Sequence, residues 1–139
     1  MKVREAMTRT ISTAAPKDTL QTVAGLMKKE DAGFIPICEG NDVVGVITDR
    51  DIVIRSIAEG HPDILNEPAE RSMSRDVATI EADAELDEAA RVMEGREVRR
   101  LAVMDKGKLA GVLSHGNLVQ AMKSQGAADR ATLGVTKGA

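Results

Sequence analysis

The chain contains no tryptophan and no tyrosine, and Phe34 is its only ring of that class. It cannot build a stacking platform for bases, and with a formal net charge of -3 and no basic stripe it excludes nucleic acid as an expected partner. Cys38 is the single cysteine, so no intrachain disulfide can form. Lying in the apolar run from Phe34 to Cys38, it reads as a buried structural thiol. No apolar run approaches the roughly 20 residues of a membrane-spanning helix, and the start of the chain lacks the apolar segment of a secretory signal. The expectation is a soluble, cytoplasmic protein with no membrane among its partners. A glycine-rich phosphate loop, a nucleophile elbow and the Cys/His spacing of a zinc site are also missing. His61 and His115, with Cys38, are too few and too scattered for a metal centre, so neither an enzyme nor a metalloprotein is expected.

What the chain does have is itself, twice. Shifted by 66 positions, Glu5 to Gly60 lies over Arg71 to Gly126 without a gap. Met7 falls on Met73, Leu20 on Leu86, Ala24 on Ala90, Met27 on Met93, and Gly45-Val46 on Gly111-Val112. A repeated unit seldom buries its apolar face alone, so function is expected where the copies meet. At 139 residues the two copies make one domain's worth of chain. The division expected is a first repeat over residues 1–60, a linker over 61–68 rich in turn formers (Gly60, Pro62, Pro68), a second repeat over 69–126, and a mobile tail over 127–139 that loses apolar periodicity.

Each copy shows the same order of elements. Leu20, Val23, Ala24 and Met27 repeat at helical spacing, as do Leu86, Ala89, Ala90 and Met93. Asp18 and Gln21 predict a capping box for the first helix, while Ala84 at the equivalent position leaves the second start looser. Two short apolar runs follow each helix, Phe34 to Cys38 with Val43 to Thr48, and Leu101 to Met104 with Leu109 to Ser114, separated by turn residues as in a hairpin. Further helices are predicted over Asp49 to Glu59 and His115 to Ser124, with edge strands at Ile11 to Thr13 and Val77 to Ile80. The fold class is therefore α/β (α+β), with two β-α-β-β-α repeats.

The candidate chemistry lies in Gly45-Val46-Ile47-Thr48-Asp49-Arg50-Asp51 and its echo Gly111-Val112-Leu113-Ser114-His115-Gly116-Asn117. In both, a hydroxyl stands where a strand becomes a helix, with Asp or Asn three residues later. One reading is a helix cap, worth about 1 kcal/mol. The other is a ligand site, because helix-start N–H groups receive phosphate and an ionised Asp accepts hydrogen bonds from a ribose diol. The two readings compete for the oxygens of Asp51. Arg99 and Arg100, opposite Gly33 and Phe34, read either as a solvated strand edge or as guanidinium groups reaching phosphate across a cleft.

The duplicated unit with its Gly-h-h-Thr/Ser-x-x-Asp/Asn motif resembles a pair of cystathionine-beta-synthase (CBS) domains, called a Bateman module, over about Val3 to Gly126. The stretch Ile35-Pro36-Ile37-Cys38 through Thr48-Asp49-Arg50-Asp51 is similar to stand-alone CBS pairs of the hypoxic-response type. The resemblance implies packing about a pseudo-twofold axis with two clefts, homodimer formation, and binding of an adenosine-containing small molecule (AMP, ADP, ATP, NAD or S-adenosylmethionine), with no cofactor required. It implies that Asp51 holds the ribose and Thr48 the phosphate, with Thr10, Ile11, Phe34, Ile35 and Pro36 around the adenine. In the second copy Ser114 replaces Thr48, Asn117 stands where the family has Asp, and Ala102 replaces Pro36, so the second cleft should hold a ribose less well. Two functions are expected to compete: a regulatory sensor that signals to a regulated partner protein in trans, and a ligand-independent dimerisation scaffold with a degenerate site.

Overall fold

The structure, a computed structural model, describes the backbone of residues 1–137 and the side chains of residues 1–126. The first half carries α1 (Val3–Ala6), α2 (Leu20–Glu30), β1 (Phe34–Glu39), β2 (Asp42–Thr48) and α3 (Asp49–Asp51), which runs directly into a π-helical stretch at Ile52–Ile57. Two 3-10 turns, Ile64–Asn66 and Ala69–Arg71, lead into β3 (Thr79–Glu81), α4 (Leu86–Arg96), β4 (Arg100–Asp105), β5 (Lys108–Ser114) and α5 (His115–Lys137). Helix α5 passes the expected end at Ser124, and the mobility expected of residues 127–139 falls on side chains outside the described residues.

The long helices form where the apolar spacing predicts them, with Leu20 and Val23 buried on α2 and Leu86, Ala89 and Met93 on α4. The cap of α2 is Thr19, whose hydroxyl accepts from Thr22 N at 3.2 Å, rather than Asp18, whose carboxylate turns back to Ala15 N at 2.8 Å. Asp31 and Glu97, equivalent by the offset, end the two helices in the left-handed region at φ 51° and 53°. The hairpins share register and bulge, with Phe34 opposite Thr48 and Ile37 opposite Gly45 in one, and Arg100 opposite Ser114 and Val103 opposite Gly111 in the other.

The edge strands differ. β3 pairs in parallel with β4, but Ile11 to Thr13 form no strand, and a lone parallel bridge joins Ala14 to Ile37. Proline explains this. Ala102 N donates to Ala78 O at 3.0 Å in the second repeat, and Pro36, its counterpart, has no N–H to give.

The repeats are joined by exchange of their N-terminal segments. Val3 N donates to Ala84 O, Arg4 N to Ala82 O and Thr8 N to Val112 O, each at 2.9 Å. The same bonds run the other way: Ala69 N to Asp18 O at 2.8 Å, Glu70 N to Pro16 O at 3.0 Å and Ser74 N to Val46 O at 2.8 Å. Val3 and Met7 of the first repeat are buried in the second core, with Ile80, Leu86, Leu101 and Leu113. Ala69 and Met73 of the second repeat are buried in the first core, with Leu20, Ile35, Ile37 and Ile47. Fully burying a Val or Met side chain contributes about 1.5–3 kcal/mol, so neither core is complete without the other repeat. The arrangement is pseudo-twofold: the equivalent residues Phe34 and Arg100 meet, with the guanidinium carbon 5.6 Å from the ring centre.

This crossing explains the repeated glycines. A Cβ at Gly45 would lie 2.6 Å from Met73 Sδ and 2.9 Å from Ser74 O, and one at Gly111 would lie 2.5 Å from Thr8 O. The incoming segment passes where a side chain would stand.

Candidate functional site

A cavity of about 410 Å³ opens where the first motif meets the second repeat. Thr48, Asp49 and Arg50 line one side, and Ser74, Asp76, Val77 and Ala78 of the incoming segment line another. Phe34 and Val46 of the first hairpin, and Glu97, Val98, Arg99 and Arg100 of the second repeat, complete the wall. Both arginines line the cavity and both are exposed to solvent. Asp76 is paired with Arg96 at 2.7 Å, so part of the acidic charge at the rim is compensated. The Asp49 carboxylate lies over Gly33, where a Cβ would come within 2.5 Å of it, and accepts from Arg50 N at 2.8 Å.

Both motifs form reciprocal helix caps. Asp51 N donates to Thr48 Oγ1 at 3.1 Å while Thr48 N donates to Asp51 Oδ2 at 3.0 Å. Ser114 and Asn117 exchange the same two bonds at 3.0 Å each. The cap uses one oxygen of Asp51. The other, Oδ1, lies 3.8 Å from Arg55 Nε, and the Asp51 side chain is 14% exposed. Thr48 Oγ1, used by the cap as an acceptor, keeps its own proton to donate.

The expected site residues do not all gather. Phe34, Thr48, Arg99 and Arg100 share the cavity, but Asp51 is not among the residues that line it. Ile35 is buried in the first core and Pro36 is buried beside it, so neither side chain encloses a ligand there. Thr10 and Ile11 are absent from the lining, and their counterparts Asp76 and Val77 take that place because each N-terminal segment crosses to the other repeat. Ile11 instead lines a separate space of about 340 Å³ with Arg9, Thr13, Cys38 and Lys108. Cys38 is half-buried there, not buried, and desolvation pushes its thiol pKa up. In the second half, Asn117 Oδ1 also receives Thr8 Oγ1 at 3.4 Å.

Sequence reasoning missed Ser74 to Ala78, whose place follows once the exchange is known. It also missed a buried polar cluster that joins the two repeats. Glu67 is 4% exposed, and its carboxylate accepts from Ser56 Oγ at 2.5 Å and Ser72 Oγ at 2.9 Å and contacts His61 Nδ1 at 2.5 Å. Burial pushes the Glu67 pKa up, but the hydrogen bonds from Ser56, Ser72 and His61, with the histidine's charge, outweigh it and hold the carboxyl below its ordinary value. Glu67 and Pro68 are thus part of the exchanged segment, not free linker: Glu67 O accepts Leu20 N at 2.9 Å as Met1 O accepts Leu86 N at 3.0 Å.

Among the described residues no group of three or more His, Cys, Asp or Glu side chains is placed to hold a metal ion. No helix among them is long and apolar enough to cross a membrane. The CBS-domain family model matches residues 3–57 and again residues 69–124. The chain belongs to the CBS-domain family. Among its relatives, CBS domain-containing protein YhcV of Bacillus subtilis is 32% identical over 131 residues, covering 94% of this chain and 92% of its own. Hypoxic response protein 1 of Mycobacterium tuberculosis is 31% identical over 119 residues, covering 84% and 82%. A crystal structure of Hypoxic Response Protein I with two coordinated zinc ions superposes with a TM-score of 0.78 at 29% identity over 86% of this chain and 98% of that one. The fold is also that of CBSX2 crystallised with AMP, at a TM-score of 0.75 and 24% identity over 88% of this chain and 96% of that one. This CBS pair shares their two-repeat architecture.

Proposed function

We propose that this CBS pair is a regulatory module that binds an adenosine-containing nucleotide in the first cleft and signals its occupancy to a partner protein in trans. One observation carries the choice of cleft: Arg50, Arg99 and Arg100 all line the Thr48 cavity, and their counterparts by the offset are Gly116, Gly33 and Phe34. Because Phe34 also lines this cavity and corresponds to Arg100, the second cleft keeps by the offset only Arg100 of the three, with glycine in place of the other two. Guanidinium forks suit phosphate oxygens, the Thr48 hydroxyl has a proton to donate, and Asp51 Oδ1 remains for a ribose hydroxyl. Val46, Val77 and Ala78 offer apolar surface for the base. The ligand class comes from the CBS resemblance, and CBSX2 with AMP shows the fold accepting one such molecule.

The functional units are residues 1–60 and 69–126, joined by 61–68, and the working form is a homodimer. Val53, Ile54 and Ile57, which are 50%, 46% and 56% exposed on one helical stretch, offer apolar surface for pairing. Thermal denaturation with AMP, ATP, NAD and S-adenosylmethionine tests the ligand. A native-state ligand at 100 times its Kd adds about 2.7 kcal/mol and raises Tm. Absence of any shift at millimolar concentrations would leave the scaffold reading in its place. Arg99→Ala with Arg100→Ala should remove the shift for phosphate-bearing ligands.

A further inference from the structure

Arg55 sits on the π-helical stretch that follows the first motif, and its counterpart in α5 is Ala121. Its Nη1 donates to Ser72 O at 3.1 Å and Met73 O at 3.2 Å, while its Nε lies 3.8 Å from Asp51 Oδ1. One side chain therefore touches both the carboxylate beside the cavity and the segment of the second repeat that crosses over it. That segment continues into Ser74, which lines the cavity and exchanges backbone bonds with Val46 at 2.8 and 2.9 Å.

The local helix makes this possible. Ala58 N bonds to Val53 O at 2.8 Å and His61 N to Ser56 O at 3.1 Å, both five residues back. This wider winding recurs at functional positions of helices. Here neighbouring residues both engage Ser72, Arg55 at its carbonyl and Ser56 at its hydroxyl. The equivalent crossing, Thr8 with Val112, has only Ala121 and Met122 at those positions.

We propose that Arg55 is a positioning residue that ties Asp51 to the crossing segment Ser72 to Ser74, so that occupancy of the first cleft and the hold of one repeat on the other are coupled. The coupling to a ligand rests on the nucleotide reading above; the tie itself does not. Proton exchange at single amides in the ligand-free protein tests the tie. Arg55→Gln should speed exchange at Ser74 and Val46 on the order of tenfold and leave Thr8 and Val112 unchanged. Asp51→Asn, which keeps an acceptor for the Thr48 cap as Asn117 does for Ser114, should act in the same direction because Arg55 loses its anchor. Arg55→Lys, a charge without the fork, should fall between. Equal acceleration at all four amides, or none, overturns the tie.

AMP titration of the same variants tests the coupling. The affinity should fall about tenfold or more in Arg55→Gln, with no further loss when that change is added to Asp51→Asn. Unchanged AMP affinity in Arg55→Gln overturns the coupling. If the unaltered protein does not bind AMP, the nucleotide reading fails for this ligand, and the exchange rates alone still decide whether Arg55 ties Asp51 to the crossing.

Discussion

Lys17 Nζ lies 2.7 Å from Glu70 Oε1, and this ion pair is the charge-inverted counterpart of Arg4 with Asp83 at 2.8 Å. Glu70 occupies the position of Arg4 and Lys17 that of Asp83, on the two segments that the repeats exchange. The Lys17 hydrogen bond holds the Glu70 carboxyl below its ordinary pKa, as Arg4 does for Asp83. If two first repeats exchanged segments with each other, Arg4 would face Lys17. If two second repeats did so, Glu70 would face Asp83. Only unlike repeats satisfy both pairs, so the inversion favours pairing a first repeat with a second, as occurs here within one chain.

The charge code can be reversed one residue at a time. Glu70→Lys should lower Tm by placing two lysines together, and adding Lys17→Glu should restore it. Because these groups are exposed, the effect should be small and should shrink in 1 M salt, where the screening length is about 3 Å. Melting curves of the single and double variants at low and high salt check this, and equal Tm for both would remove the pair from the account.

Glu67 should give the acid limb of stability its shape. Its folded pKa lies below the ordinary value of a glutamate, so its contribution is fully present above that ordinary value and is lost as pH falls through the lower folded one. Urea midpoints measured from neutral pH downward should fall less steeply for Glu67→Gln than for the unaltered protein. Glu67→Ala, which strips Ser56, Ser72 and His61 of their common acceptor, should cost about 2–4 kcal/mol.

The two crossing glycines should be unequal. At Gly45 the nearest atom to an added Cβ is the flexible Met73 Sδ, whereas at Gly111 it is the backbone oxygen of Thr8. Gly45 also meets a backbone oxygen, Ser74 O at 2.9 Å, but Thr8 O stands closer to Gly111 at 2.5 Å, and each of these oxygens is held by a backbone hydrogen bond. Gly111→Ala should cost about 1–3 kcal/mol and Gly45→Ala less, read from chemical denaturation.

The offset between copies made the helices, hairpins and motifs legible, because apolar spacing and turn residues are local signals. The exchange was not legible, since Val3 and Ala69 look alike whichever repeat they pack against, and so Thr10 and Ile11 were expected in a cleft that Asp76 and Val77 line. The missing edge strand was readable in principle: Pro36 opposite Ala102 marks a donor lost from one sheet. The buried cluster also left a trace, with Glu67, Ser72 and Ser56 lying over Met1, Ala6 and Met122. A polar set replacing an apolar one points to a shared environment, but its hydrogen bonds depend on the exchange that sequence spacing does not encode.

The two caps separate stability from binding. Thr48→Ala and Ser114→Ala each remove a hydroxyl that accepts one backbone N–H, from Asp51 and Asn117 respectively, so each should destabilise the fold by about 1 kcal/mol. Only Thr48 stands in the cavity with Arg50, Arg99 and Arg100, and only its loss should weaken AMP. Asn117→Ala should likewise cost cap stability, since its Oδ1 receives Ser114 N and Thr8 Oγ1, and should leave AMP affinity unchanged. Calorimetric titration alongside denaturation resolves the two effects. A loss of AMP affinity in Ser114→Ala or Asn117→Ala as large as in Thr48→Ala would move the principal site to the second cleft, where Gly116 and Gly33 stand in place of Arg50 and Arg99.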